Sequence, residues 1–129
     1  MINKDNYNIK VHDFEGPMDL LLYFINRDRI DIYDIPIVDI TREYLEYIEI
    51  MELLDINLGA EFIHMTSILL QIKAKMLLPQ IKGEDDQIED PRIDLVHRIL
   101  EYKRFKNVSD KLGSKFDEHS KKFSKGVRM

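Results

Sequence analysis

Between Asn57 and Leu78 the chain reads NLGAEFIHMTSILLQIKAKMLL, and Pro79 closes the run by pushing the residue before it out of helical geometry. With Asn57 as the N-cap, this predicts a helix over about 57–78, about 30 Å long at ~1.5 Å per residue. Two apolar seams run along it, each stepping by four and three residues. One passes through Ile56, Ala60, Ile63, Ser67, Leu70, Ala74 and Leu77. The other passes through Leu58, Phe62, Met65, Leu69, Ile72 and Met76, and Glu61, His64, Gln71 and Lys75 leave only a narrow polar strip. Two seams need two neighbours. Such a helix is either central in its own domain, or packs on its domain with one seam and on a partner with the other.

The flanking sequence supplies helices to cover it. Gly16 breaks the chain and Pro17 presets the first turn of a helix over Pro17–Arg27. DIYDIPI, from Asp31 to Ile37, cannot be helical through Pro36 and reads as a structured connector. Ile40, Tyr44, Tyr47, Ile48 and Met51 repeat at helical spacing and predict a second helix over about 38–51. Residues Gln80 to Asp90 are acidic, contain Gly83, lack an apolar period and read as a linker.

Asp90 and Pro91 then form a cap and a first-turn proline. The fourth helix carries Leu95, Val96, Ile99, Leu100, Tyr102, Phe105, Val108 and Leu112, with Gly113 as its expected stop. Near the N-terminus, Tyr7, Ile9 and Val11 alternate with polar residues in the manner of a short extended arm. The expected fold is therefore all-α, a small bundle with one long central helix. Residues 1–112 form the domain and residues 113–129 a basic tail or the start of a linker.

With 129 residues the chain fits one domain, and 44% hydrophobic content excludes disorder throughout. It has no Cys, so no disulfide framework, thiolate nucleophile or thiolate metal site is available, and a reducing cytoplasm is expected. The N-terminus MINKDNYNIK lacks the apolar run of a signal peptide, and Lys73 and Lys75 interrupt the longest apolar stretch, so no membrane association is expected. A formal net charge of -5 disfavours direct binding of nucleic acid.

Chemistry-bearing patterns are missing. The five Gly include no phosphate-cradling loop, so nucleotide hydrolysis is not expected. His12, His64, His97 and His119 are far apart and lack metal-ligand spacing. Glu84, Asp85, Asp86, Glu89 and Asp90 lack the ligand spacing of a calcium loop and read as solvated linker. The basic tail, with Lys115, Lys121, Lys122, Lys125 and Arg128, lacks stacking platforms and serves solubility. No enzyme activity, cofactor, metal or small-molecule substrate is expected.

Four segments in order resemble the N-terminal part of the segregation and condensation protein A family, the kleisins of bacterial condensin. They are FEGPMDLLL at Phe14 to Leu22, DIYDIPI at Asp31 to Ile37, EFIHMTSILLQIKAKMLLP at Glu61 to Pro79, and EDPRIDLVHRILEYKRFK at Glu89 to Lys106. The resemblance covers about residues 7–112. It implies a helical domain that docks on the neck, the coiled coil above the head, of an SMC (structural maintenance of chromosomes) ATPase. With that partner it would help form a ring for chromosome condensation and segregation in the cytoplasm, on the nucleoid, touching DNA only through the complex.

The family's central segment binds segregation and condensation protein B, and its C-terminal winged-helix domain caps an SMC head. Neither follows in this sequence, so a fragment holding one end of the ring is expected. Tyr102, Phe105 and Leu112 lie where the family's partner-B-binding region begins. For the neck, the expected contact residues are Met65, Leu69, Ile72, Lys73 and Met76, chosen because unbranched Met adapts to foreign surfaces. Gly16, Pro17, Pro36, Pro79 and Pro91 are expected to be structural. The alternative is a helical module that self-associates through the same exposed seam.

Overall fold

A computed structural model describes residues 14–79 and 89–127, with side chains described up to Lys115. The expected arm at Tyr7 to Val11, most of the acidic linker and the side chains of the basic tail beyond Lys115 lie outside the described residues. Four helices follow in order: α1 Pro17–Arg27, α2 Ile37–Leu53, α3 Ala60–Leu77 and α4 Ile93–Val127. Among the described residues there is no strand, and the all-α bundle expected from the periodicities is the fold observed.

α1 starts at Pro17, preceded by Gly16 with φ 125°. A Cβ on Gly16 would meet the Glu61 carboxylate at an ordinary 3.6 Å, so backbone conformation rather than lack of space demands glycine there. Leu20, Leu21, Leu22, Phe24 and Ile25 are all buried, which leaves little of α1 facing water. It touches the other three helices, so α1 holds the centre that the sequence assigned to α3.

α1 and α2 terminate in the same way, and neither uses glycine. Arg29 at φ 53° and Asp55 at φ 55° occupy the left-handed region after each helix. The Ile30 N–H donates to the Ile25 carbonyl at 2.9 Å, and the Ile56 N–H to the Met51 carbonyl at 2.9 Å. Ile30 and Ile56 then fold onto the core, completing two Schellman-type stops. Between α1 and α2, the Asp31 carboxylate accepts from the Tyr33 N–H at 3.0 Å, and the turn buries Ile32 and Ile35 before Pro36 admits α2.

α2 buries Ile40, Tyr44, Tyr47, Ile48 and Met51, the stripe expected from spacing, and packs most extensively on α3. α3 starts two residues later than expected: Gly59, not Asn57, occupies the N-cap, without a side-chain cap. Ile56 and Leu58 pack on the core from the loop before it. Leu78 is extended before Pro79, as the proline requires. Asp90 caps a turn ahead of α4, its carboxylate accepting from the Arg92 N–H at 2.9 Å. α4 then departs from expectation, running without interruption through Gly113 to Val127. A lone glycine costs a helix only about 1 kcal/mol relative to alanine and does not by itself end one.

Candidate functional site

The outcome for the two seams of α3 is unequal. Phe62, Met65, Leu69 and Ile72 point inward and are buried, whereas Ile63, Leu70 and Leu77 are 53%, 43% and 64% exposed. At 3.6 residues per turn the outward row lies roughly 150° around the helix from the inward one. Ala60, Ser67 and Ala74 complete it and are exposed as well.

The expected neck-binding set is thereby corrected. Met65, Leu69 and Ile72 are in the core, Lys73 is half-buried and Met76 stands at the margin, 36% exposed. Size decides which seam turns in: the inward row has a large side chain at every position, and the outward one alternates large residues with Ala or Ser. Burial free energy scales with apolar area, and that outweighs any advantage of methionine as an adaptable contact.

α3 is held in place by its inner neighbours. The Tyr44 hydroxyl donates to the Phe62 carbonyl at 2.8 Å, and the rings of Tyr47 and Phe62 stack with centroids 6.5 Å apart. Burial pushes the Tyr47 phenol up to about 12 and raises Tyr44 further. Both remain neutral, as an apolar interior demands.

Two polar clamps, not foreseen from the sequence, join the quoted motifs across the fold. The carboxylate of Asp19, in the FEGPMDLLL segment, is buried; it accepts from the Glu15 N–H at 3.0 Å and from the Lys106 ammonium at 2.6 Å. Its hydrogen bond raises the Lys106 pKa, and burial together with Asp19 pushes the Tyr102 phenol up to about 12. At the other end, the Arg92 guanidinium donates to Asp34 at 2.9 Å, to the Ile35 carbonyl at 2.8 Å and to Asp90 at 2.8 Å. Its guanidinium holds the Asp90 carboxyl below the usual range. DIYDIPI is thus fixed to the start of α4 and FEGPMDLLL to its middle. Charged residues at irregular spacing carry no periodic signal, which is why these pairs escape sequence reading.

His64 and His97 are both exposed, and among the described residues no group of three or more His, Cys, Asp or Glu could hold a metal ion. No helix among them is long and apolar enough to cross a membrane. Pro17 and Pro36 bound α1 and α2, Pro79 follows α3, and Pro91 lies in the turn before α4. On α4, Leu95, Val96 and Ile99 are buried and Tyr102 half-buried, while Phe105, Val108 and Leu112 are 61%, 51% and 62% exposed.

The fold is a small helical bundle with an apolar heptad row left on its surface. A family model described as segregation and condensation protein ScpA matches residues 24–129. The chain is similar to segregation and condensation protein A of Oceanobacillus iheyensis, 43% identical over 125 residues, 94% of this chain and 50% of that protein. It is 44% identical over 124 residues to the Bacillus cereus protein of the same name, 92% of this chain and 50% of that one. The chain belongs to the segregation and condensation protein A family of bacterial kleisins. It spans about half the length of the curated relatives it matches.

Proposed function

We propose that this chain is a non-catalytic kleisin subunit of a bacterial SMC complex, and that the outward row of α3 grips the neck coiled coil of the ATPase. The observation that carries this is the exposed row Ile63, Leu70 and Leu77 on a helix whose opposite seam is committed to the core. Its seven-residue repeat matches the period of a coiled coil, so α3 can join one as an added helix. Lys73 and Lys75 flank the contact and favour acidic residues on the neck. The relatives' name, segregation and condensation protein A, supports a role in chromosome segregation and condensation; on this proposal the grip acts in the cytoplasm on the nucleoid, with segregation and condensation protein B as a further partner and DNA contacted through the complex.

Titration calorimetry of the chain against a neck-spanning SMC coiled-coil fragment tests the reading. Leu70→Asp should weaken binding by about tenfold or more while helicity is unchanged, because a charge is desolvated at the centre of the contact. Binding by L70D at the affinity of the unaltered chain would overturn it. The same row also suits pairing with a second copy, and sedimentation at micromolar concentration separates the two: a persistent monomer that binds the neck excludes self-association.

A further inference from the structure

A concave surface lies on another side of the bundle. The start of α1, one edge of α3 and the middle of α4 enclose an open groove with an apolar floor of Met18, Met65, Tyr102 and Phe105. Met65 is buried, Met18 and Tyr102 are half-buried, and Phe105 leans over the edge, its ring centroid 6.3 Å from that of Tyr102. The rim is charged. Glu15 ahead of α1, Glu61 on α3 and Glu101 on α4 converge on it, against the guanidinium of Arg98, with His64 beside them. All these rim side chains are exposed, and among the described residues none of the three glutamates or Arg98 takes part in an ion pair.

Three carboxylates brought from three elements onto one apolar depression outnumber the single guanidinium, so the groove favours a cationic guest and opposes an acidic one. Its open form would leave a small molecule mostly in water, whereas small-molecule sites bury most of their ligand. Two methionines on the floor suit a guest that the site must adapt to. The geometry points to a second docking site, for a basic amphipathic segment of a partner protein. An aliphatic or aromatic anchor rests on Met18, Met65 and Phe105, and a Lys or Arg enters among Glu15, Glu61 and Glu101. Around α3, Glu61 and His64 lie roughly 120° from the Ile63 to Leu77 row, so occupation of one surface leaves the other free.

The test uses the intact chain with carbon-13-labelled methionine methyls, titrated with a short peptide of Leu and Lys at helical spacing and, as control, the same peptide with Glu for Lys. The Leu/Lys peptide should shift the Met18 and Met65 methyls saturably and more weakly at high salt, leaving Met76 unmoved, and the Glu peptide should do nothing. The double variant Glu61→Lys, Glu101→Lys should weaken binding about tenfold, with Glu61→Gln, Glu101→Gln in between. Both pairs sit on exposed positions and leave the core intact. Leu70→Asp should leave this binding unchanged, so the groove and the neck-binding row succeed or fail independently. Equal binding by the charge-reversed variant, or shifts centred on Met76, would overturn the proposal. So would binding that appears only after deletion of residues 115–129, since it would assign the groove to the chain's own basic tail.

Discussion

Leu69 and Leu70 are neighbours in sequence and opposites in setting: the first is wholly buried in the core, the second is 43% exposed on the outward row of α3. The inward seam is large at every step and meets two tyrosines. The outward seam is large only at every seventh residue, and past Ile56, which packs on the core, its large residues Ile63, Leu70 and Leu77 stay exposed. The comparison teaches that heptad spacing marks a face as able to pack, while the summed size of its side chains decides which face the domain claims for itself.

High pH attacks the inward side with the largest effect, through two phenols, while on α4 it meets the single raised phenol of Tyr102. The Tyr47 phenol is ordinarily at 10.0 and is held at about 12 in the fold, with Tyr44 raised in the same direction. A group raised on folding contributes its stability in full below its unfolded value and loses it as pH climbs through the folded one. Alkaline unfolding followed by circular dichroism should therefore set in between pH 10.0 and about 12. Tyr47→Phe should move the midpoint upward; an unmoved midpoint would show that the phenol adds nothing to the pH dependence.

Truncation separates the two seams directly. Leu69→Ala should cost about 3–4 kcal/mol in urea unfolding, the range for emptying a packed leucine site, whereas Leu70→Ala should stay within about 0.5 kcal/mol. Similar losses for both would mean that the outward row is covered within the domain after all. Lys106→Ala should cost about 2 kcal/mol, because the buried Asp19 carboxylate loses its charged partner and is left with neutral hydrogen bonds from the Glu15 N–H and the Tyr102 hydroxyl. Two further small effects are gains. Arg29→Gly and Asp55→Gly should each stabilise by about 0.5–1 kcal/mol, since both positions hold the left-handed conformation that glycine enters without strain. Destabilisation by either would show that the Arg29 or Asp55 side chain contributes more than its backbone strain costs.

Elements with a strong period were legible. α1 was read with its observed bounds from Gly16, Pro17 and the leucine run, and α2 from its tyrosine and isoleucine stripe. Stops were less so, for a physical reason: the chain ends α1 and α2 with Arg29 and Asp55 where glycine would be the readable signal, and runs α4 straight through Gly113. Both seams of α3 were visible, but their assignment needed knowledge of what stood opposite each one. The Asp19–Lys106 clamp joins residues 87 positions apart, beyond the reach of any local pattern.

The unbroken course of α4 has a mechanical consequence. The helix is riveted to the bundle from Ile93 to Lys106, and between Asn107 and Lys115 every residue is exposed. At 1.5 Å per residue the clamped stretch is about 20 Å long and the stretch from Lys106 to Val127 about 30 Å. α4 is therefore a lever with Lys106 at its fulcrum and the longer arm beyond it. A sideways load at the far end reaches the rivets multiplied by about one and a half, and a pull on that end would be felt first at Asp19, in the first turn of α1.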